Sequence, residues 1–377
     1  MKKSALIGKI LITGELKLKS PLLIGDGAGE TSDNFRDIHV LQNQDGVPFI
    51  PGTSICGVLR DYAKSVGLDM FEEIFGDENK FQSAIQFDDI ELSGKIVARD
   101  GVRIDGVTGT GEKGGKYDYE AVDRGAKGDI RILVNLRGVH RDGENPDDKN
   151  YTLEKVTGAV KKILGRLQSR IQLGALTSKG FGLAAVENLN ADFYDFRKKA
   201  DVIAWLTDKP ASKKIQPAVE NLNAEADFVV DAKFALNSSF IIRDYDTSEK
   251  SGDSPINAVS LKSGTDFVIP GTSLKGIFRH RAEYILSKFN VAADALNELM
   301  GISEGETKVK SRFIVAESYV KPENVAAVAH TRNKIDRFTG GTLQGTLFTT
   351  KPAWKKIPTR RLIFTLKFAR QKISRLA

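Results

Sequence analysis

The chain has 377 residues, 28% of them charged and 41% hydrophobic, which is enough material for two globular domains. Its single cysteine, Cys56, excludes an intramolecular disulfide and fits a reducing cytoplasm. The sequence contains no window of about 18 uncharged apolar residues, so no membrane span is predicted. The net charge of +7 favours an anionic partner, weakly by itself. Because no span is predicted, no membrane partner is expected.

The first elements are a strand, a long polar loop and a helix. Apolar and polar residues alternate over 9–25, which predicts a half-buried strand, and the polar loop 26–46 follows it. At 49–64, "FIPGTSICGVLRDYAK", a strand ends at a Pro-Gly turn and apolar residues then recur at helical spacing. Thr53 or Ser54 is placed to cap this predicted helix.

The next elements are a Gly-rich hairpin and a second helix. "RIDGVTG" at 103–109 belongs to the hairpin region, and 152–189 predicts an amphipathic helix, a glycine loop and a strand. Strands interleaved with few helices are typical of a split βαβ unit. We therefore predict an α+β fold with a ferredoxin-like core.

The same order of motifs occurs twice. "VIPGTSLKGIFRHRAE" at 268–283 repeats the strand, turn and helix start, and "KIDRFTG" at 334–340 repeats the hairpin motif. We therefore predict a first module over 1–195, a linker over 196–224 and a second module over 225–377. The second module has no counterpart of the last helix and glycine loop, so it is expected to be incomplete at its C-terminal side.

Both of these helix starts and the glycine loop "LTSKGFG" are candidate phosphate contacts. A helix N-terminus offers unpaired N–H groups, and a glycine loop presents N–H groups, a hydroxyl and an ammonium. The alternatives are an ordinary capped helix with a solvated basic side and an ordinary Gly-rich turn. Gly57 and Gly276, inside the helices, indicate close approach by a ligand or a packed strand. The candidate residues are Thr53, Ser54, Arg60, Ser178, Lys179, Gly180, Ser273, Lys275 and Arg279.

The polar loop 26–46 is rich in carboxylates although the protein is basic. Acidic residues beside a phosphate site can recruit a divalent ion, and the alternative is a solvated acidic loop. The four histidines have no metal-ligand spacing. The carboxylates of this loop are Asp26, Glu30, Asp33, Asp37 and Asp45.

Four segments, "PFIPGTSICGVLR", "VIPGTSLKGIFRHR", "IDRFTGGTLQGTLF" and "LTSKGFG", resemble the RAMP superfamily, and more narrowly the tandem-fused backbone subunits of type III CRISPR effector complexes. The resemblance implies an RRM-like core that lies along CRISPR guide RNA. It also implies single-stranded target RNA and other type III effector subunits as partners. Each hairpin would be a thumb that wedges into the guide–target duplex, with Val107 and Phe338 in equivalent places.

The resemblance further implies cleavage of target RNA by an Asp of the first loop with Mg²⁺ or another weakly bound divalent cation. Asp37 matches the spacing to the Pro-Gly turn, and Asp33 is the fallback. In the second module the choice is Asp253, with Asp246 behind it, and the match there needs an insertion. The alternatives are a non-catalytic RNA-binding scaffold and a metal-independent guide-processing endonuclease with His39 as its base.

Overall fold

The computed structural model of the chain describes residues 6–27, 38–78, 82–137, 148–219, 226–234, 236–244, 250–251, 254–292, 294–304, 307–356 and 364–371. None of the helices in these ranges is long and apolar enough to cross a membrane.

The described residues of the first part of the chain form ten strands, four helices and a 3-10 turn at Thr177–Lys179. The strands are β1 (Leu6–Leu18), β2 (Phe49–Ile50), β3 (Ile85–Phe87), β4 (Ile90–Glu91), β5 (Ile96–Ile104), β6 (Gly111–Val122), β7 (Lys127–Arg137), β8 (Ile171–Gln172), β9 (Leu183–Asp195) and β10 (Lys213–Lys214). The helices are α1 (Gly52–Ser65), α2 (Phe71–Phe75), α3 (Asp148–Ser169) and α4 (Lys199–Leu206).

The described residues of the second part form shorter strands and two helices. The strands are β11 (Ala226–Phe234), β12 (Ser239–Phe240), β13 (Arg243–Asp244), β14 (Lys250–Ser251), β15 (Ser254–Pro255), β16 (Ala258–Ser260), β17 (Lys262–Ser263), β18 (Asp266–Ile269), β19 (Ile302–Glu304), β20 (Thr307–Val309), β21 (Phe313–Val315), β22 (Ser318–Val320), β23 (Val325–Ala327), β24 (His330–Arg332), β25 (Phe348–Lys351), β26 (Ala353–Lys355) and β27 (Phe364–Gln371). The helices are α5 (Gly271–Lys288) and α6 (Asp294–Met300), and a 3-10 turn lies at Pro322–Asn324.

The first module has the predicted ferredoxin-like topology. Its sheet runs β10-β9-β1-β7-β3, so β1 lies between β7 and β9, and every pair along the path is antiparallel. Alternate residues of β1, among them Ile10, Ile12 and Leu16, are fully buried, as expected for a strand with one face on the core. The helices α1 and α3 bury Leu59 and Ile163 in the same cluster. The predicted α+β fold is confirmed.

The segment predicted as a linker contributes to the first sheet. It contains α4 and β10, and β10 pairs with β9 at the sheet edge. The chain then crosses α3, where the Ala218 N–H donates to the Lys161 carbonyl at 2.9 Å. A Cβ on Gly165 would collide with the Ala218 carbonyl, so glycine is needed at this crossing.

The second module repeats the core with fewer covering elements among the described residues. Its three-stranded sheet runs β11-β27-β21, the counterparts of β1, β7 and β3. The helix α5 buries Leu274 against Val315, but Ile277 and Ile285 are 63% and 42% exposed. The helical spacing of Leu274, Ile277, Phe278, Ala282 and Ile285 in the sequence predicts one apolar face on this helix. The exposure of Ile277 and Ile285 shows that the described core does not cover that whole face. In the first module α3 lies beside α1, and no described helix occupies that place beside α5.

Candidate nucleic-acid interface

The starts of α1 and α5 share a backbone geometry that explains the repeated Pro-Gly pair. Pro51 and Pro270 are extended, and each helix begins at the following glycine. A Cβ on Gly52 would collide with the Phe87 carbonyl of β3. A Cβ on Gly271 would collide with the Val315 carbonyl of β21, the counterpart of β3. The strand that crosses each helix start thus requires glycine there.

The first helix start is capped, but not by the residues predicted for it. Neither Thr53 nor Ser54 makes a capping hydrogen bond; the Gly52 N–H donates to Asp89 Oδ1 at 2.7 Å instead. The capping prediction is wrong because a carboxylate 37 residues away occupies the position. At α5 the residue before the helix, Pro270, offers no side-chain capping bond, and the N–H groups of the first turn are candidate donors to an anion.

The glycine loop of the first module packs directly on the start of α5. Its backbone is left-handed at Leu176 and Gly180, with φ of 56° and 94°. A Cβ on Gly180 would collide with the Glu317 N–H, and a Cβ on Gly271 would collide with the Lys179 carbonyl. Two candidate phosphate contacts that lie far apart in sequence therefore form one site. We call Ser178, Lys179, Lys275 and Arg279 the junction site.

The junction site holds buried positive charge. Lys275 is only 7% exposed. Its Nζ donates to Ser178 Oγ at 3.0 Å and to Ser311 Oγ at 2.6 Å. Burial, reinforced by the charges of Lys179 and Arg279, lowers the pKa of Lys275 to about 7. Burial also lowers the pKa of Lys179. The hydrogen bonds of Lys275 within the described chain go to hydroxyls alone, so an anion placed here would neutralise it.

The two arginines of the repeated motif have local hydrogen bonds. Arg60 reaches the carbonyls of Phe75 and Gly76 at 3.5 Å, at the end of α2. Arg279 donates to the Gly301 carbonyl and to Asn297 Oδ1, at the end of α6. Each guanidinium therefore links the long helix to the short helix after it, and its predicted phosphate contact stays a prediction.

The surface of each repeated helix leaves room for a ligand. A Cβ on Gly57 or Gly276 would meet no described atom within 4 Å. Within the described residues no strand packs on these glycines, which leaves the ligand as the remaining interpretation. Thr53 is exposed beside it in α1, and Ser273 is half-buried in the first turn of α5.

The corresponding position in the first module is neutral. Cys56 stands where the second copy has Lys275; it is half-buried, and burial raises the pKa of its thiol. The start of α1 therefore lacks the buried ammonium of the junction site.

Both hairpin motifs present an apolar side chain to solvent. The Asp105 carboxylate accepts the N–H groups of Val107 at 2.8 Å and Thr108 at 2.7 Å, which lowers its pKa. Asp336 likewise accepts the Phe338 N–H at 2.8 Å. The resulting turns leave Val107 96% exposed and Phe338 fully exposed. We call these two side chains the tip residues; the motif explains their exposure, because the aspartate fixes the turn locally.

The four aspartates proposed for cleavage, Asp33, Asp37, Asp246 and Asp253, lie outside the described residues, and the described part of the chain holds no group of three or more potential metal ligands. Oxygen donors suited to Mg²⁺ are nevertheless present where the first loop rejoins the fold, since Ile38 bridges to Tyr119 of β6.

These donors are Asp100 and Asp118, which face each other across β5 and β6. Burial and the hydrogen bond and charge of Asp118 raise the pKa of Asp100 to about 6. A divalent cation can replace the proton that such a carboxylate pair shares. The donor chemistry beside the loop therefore fits a magnesium ion.

His39 belongs to a second arrangement near the same loop. Its Nδ1 lies 3.4 Å from Glu120 Oε2, and Glu120 also accepts the Val40 N–H. Its Nε2 is buried without a hydrogen-bond partner among the described residues. A carboxylate that orients an imidazole in this way is a common setting for a general base.

The polar contacts between the modules were missed by the sequence reasoning. Arg99 Nη1 pairs with Glu317 Oε1 at 3.2 Å, although the residues are 218 positions apart. Asp123 accepts a hydrogen bond from Ser263 Oγ at 2.6 Å, and Arg124 pairs with Asp266. No local pattern in the sequence signals such pairs.

The family model that matches is that of the RAMP superfamily, over residues 15–185 and 234–375. No curated protein matches the chain. The two matched regions contain both repeated helix starts and both hairpin motifs, and together they cover most of the chain. The protein therefore belongs to the RAMP superfamily, as a tandem CRISPR-associated RNA-binding subunit.

Proposed function

We propose that this chain is a guide-RNA-binding backbone subunit of a cytoplasmic type III CRISPR effector ribonucleoprotein that cleaves guide-paired target RNA with a divalent metal. The observation that carries the proposal is the junction site. Lys275 is buried beside Lys179 at the start of α5, and within the described residues its hydrogen bonds go to two hydroxyls. An RNA phosphate supplies the negative charge that this arrangement lacks.

The contacts available at the junction site favour the RNA backbone over the bases. The ammonium of Lys275, the Ser178 hydroxyl and the first N–H groups of α5 all suit phosphate oxygens. The open backbone at Gly276 allows a strand of RNA to lie against the helix. Binding is then independent of sequence, as a protein that carries many guides requires.

The tip residues supply a second kind of contact. Val107 and Phe338 project from rigid turns into solvent, and apolar groups of this kind unstack adjacent base pairs when they insert. In the proposed function each tip residue interrupts the guide–target duplex and turns one target nucleotide out of line. That displacement places its phosphodiester in a reactive geometry.

Asp37 is the proposed ligand of the divalent ion, with Asp33 as fallback; in the second module these roles fall to Asp253 and Asp246. A bound Mg²⁺ would stabilise negative charge on the phosphodiester oxygens and needs only one or two protein carboxylates. The chain itself orients the phosphodiester through its tip residues and holds the RNA backbone through the junction site.

Cleavage mapping with single variants tests this assignment. Asp37→Ala is expected to abolish one cleavage position in magnesium while guide and target binding persist, and Asp253→Ala to remove another. Target RNA cut at every original position by the Asp37→Ala assembly would exclude Asp37. Loss of target binding in that variant would show that the loop is structural.

A second candidate function is metal-independent processing of guide RNA. The orientation of His39 by Glu120, with an unpartnered Nε2, favours it. Chelation by EDTA stops the metal-dependent cut and spares a histidine-based one, and it has little effect on a non-catalytic scaffold. Sequencing the RNA that co-purifies with the protein tests the class itself, since repeat-derived guides are expected.

A further inference from the structure

Both hairpins are attached to the second module, although the first belongs to the first module in sequence. At the base of the first hairpin, Arg99 of β5 pairs with Glu317. Near its tip, Gly106 lies beside the His280 ring of α5, and a Cβ there would lie 3.6 Å from His280 Cδ2. The second hairpin, β24 and β25, is joined to β16 within the second module. The positions of both tip residues are therefore fixed relative to one body.

The Arg99–Glu317 pair joins the two modules at a large desolvation cost. Their side chains are 2% and 0% exposed, and burial raises the pKa of Glu317. Nε and Nη2 of Arg99 are buried without hydrogen-bond partners among the described residues. Apolar pairs of similar size usually stabilise an interface at least as well as a buried ion pair. Unlike an apolar contact, the ion pair is directional, so it fixes one orientation of the first hairpin relative to the second module.

A second arginine closes the same network. Arg124, in the turn between β6 and β7, donates to Ser263 Oγ at 3.2 Å and pairs with Asp266. Its guanidinium also lies 3.8 Å from the ring centroid of Tyr319. The Tyr319 hydroxyl donates in turn to Glu317 Oε2 at 2.9 Å. The base of the first hairpin, where β5 begins and β6 ends, is therefore held by connected groups of the second module.

The first module does not carry the same network at the start of α1. By the alignment of the two copies, Asp89 stands at the position of Glu317 and Val47 at that of Asp266. Asp89 caps α1 and is exposed, whereas Glu317 is buried. The paired arginine anchors are thus specific to the contact between the two modules.

We propose that Arg99 and Arg124 are positioning residues that hold the two hairpin tips at a single spacing. That spacing sets the interval between the two points at which the tip residues disturb a bound RNA duplex. The statement about spacing stands on the protein alone, and the statement about the RNA interval rests on the proposed function.

Pulsed electron paramagnetic resonance measures the spacing without RNA. Spin labels are attached to Val107→Cys and Phe338→Cys in a Cys56→Ser background, and one narrow distance distribution is expected. In the apolar double variant Arg99→Met with Glu317→Leu, the melting temperature stays within a few degrees of the parent, because no buried charge is left unpaired. Its distance distribution is expected to be wider than the parent's, and that of Arg99→Lys to stay closer to the parent's.

The matched control removes an exposed arginine pair. Arg131 and Asp88 lie 2.9 Å apart with side chains 52% and 54% exposed, so Arg131→Met is expected to leave the distribution unchanged. A distribution as narrow as the parent's in the apolar double variant would overturn the proposal. So would equal broadening by Arg131→Met, because the effect would then not be specific to the buried anchor.

Chemical probing of bound duplex, with unlabelled tips, tests the RNA interval. The parent is expected to show two reactive points at one interval, and the apolar double variant to spread them over neighbouring nucleotides. A broadened tip distance with an unchanged RNA interval would overturn the link between spacing and interval. A parent that binds no RNA would contradict the proposed function, while the distance measurement would still decide the role of the arginines.

Discussion

The starts of α1 and α5 share a sequence and differ in chemistry. Each carries Pro-Gly-Thr-Ser, and a crossing strand requires the glycine in each. At α1, Asp89 caps the helix start and the following turn carries Cys56. At α5, the glycine loop of the other module covers the helix start and buries Lys275. The repeated motif thus specifies a backbone geometry, and the neighbouring module decides what that geometry binds.

The largest expected effect comes from reversing the two lysine charges of the junction site. Lys179→Glu with Lys275→Glu removes two phosphate contacts and adds repulsion. RNA affinity is expected to fall by about 3 kcal/mol or more, roughly a hundredfold. The slope of log affinity against log salt concentration should also become shallower by about one unit per lost contact. Titrations at several salt concentrations measure both quantities.

The control for that variant reverses two exposed lysines elsewhere in the chain, one between the modules and one in the second module. Lys198→Glu with Lys321→Glu changes the net charge equally, and both side chains are exposed. Only a small, salt-sensitive loss is expected from it. Equal losses from the two double variants would show that overall charge, and not the junction site, governs RNA binding.

The tip residues allow a comparison of the two hairpins. Phe338→Asp is expected to slow target cleavage beside that tip by about 2 kcal/mol, since unstacking a base step costs a few kcal/mol and the wedge supplies it. Val107→Asp should have a smaller effect, because valine offers less surface for stacking. Guide binding, measured separately, should be nearly unchanged by both. Unaltered cleavage by the Phe338→Asp protein would contradict the wedge.

The pH dependence of RNA binding separates the two helix starts further. The pKa of Lys275 is about 7 in the free protein, below its ordinary value of 10.5, and a bound phosphate raises it. RNA binding therefore takes up a proton above pH 7, and affinity is expected to fall by up to about tenfold per pH unit. Lys275→Arg should flatten this dependence, since arginine stays charged. A parent affinity that is constant from pH 7 to 8.5 would count against a phosphate at Lys275.

The same lowered pKa has a consequence for the protein without RNA. Between about pH 7 and pH 10.5 the unfolded state binds more protons at Lys275 than the folded state does. This lysine therefore makes the folded protein more stable as pH rises through that window. In Lys275→Met this rise in the free energy of unfolding with pH is expected to disappear. Denaturant titrations of both proteins at pH 7 and pH 9 would measure it.

The smallest expected effect concerns the cap of α1. Asp89→Ala leaves the Gly52 N–H without its acceptor and should lower the free energy of unfolding by about 1 kcal/mol. Asp88→Ala is the neighbouring control, because its pair with Arg131 is exposed and is expected to change stability by under about 0.5 kcal/mol. RNA affinity should stay the same in both variants, because the junction site lies at the start of α5.

Local patterns predicted much of this molecule. The tandem repeat, both repeated helix starts and the glycine loop depend on residues close in sequence, so their spacing alone revealed them. The two hairpin turns belong to the same class, since Asp105 fixes its turn through the next three residues.

The rest depends on partners distant in sequence. Lys275 meets Ser178 across 97 residues, and Arg99 meets Glu317 across 218. Periodicity placed Ile277 on an apolar helix face, but it could not tell whether another element covers that face. Sequence spacing likewise gave no sign that the two candidate phosphate contacts would form one site.

The short strand β10 has a consequence for the behaviour of the protein at high concentration. It occupies the outer edge of β9, and its two residues, Lys213 and Lys214, are both exposed. Unpaired sheet edges invite strands from other molecules, whereas short edge strands rich in lysine repel them. The segment between the modules therefore protects the first sheet against edge-to-edge aggregation. At high concentration this chain should form fewer fibrils than a variant in which both lysines are replaced by valine.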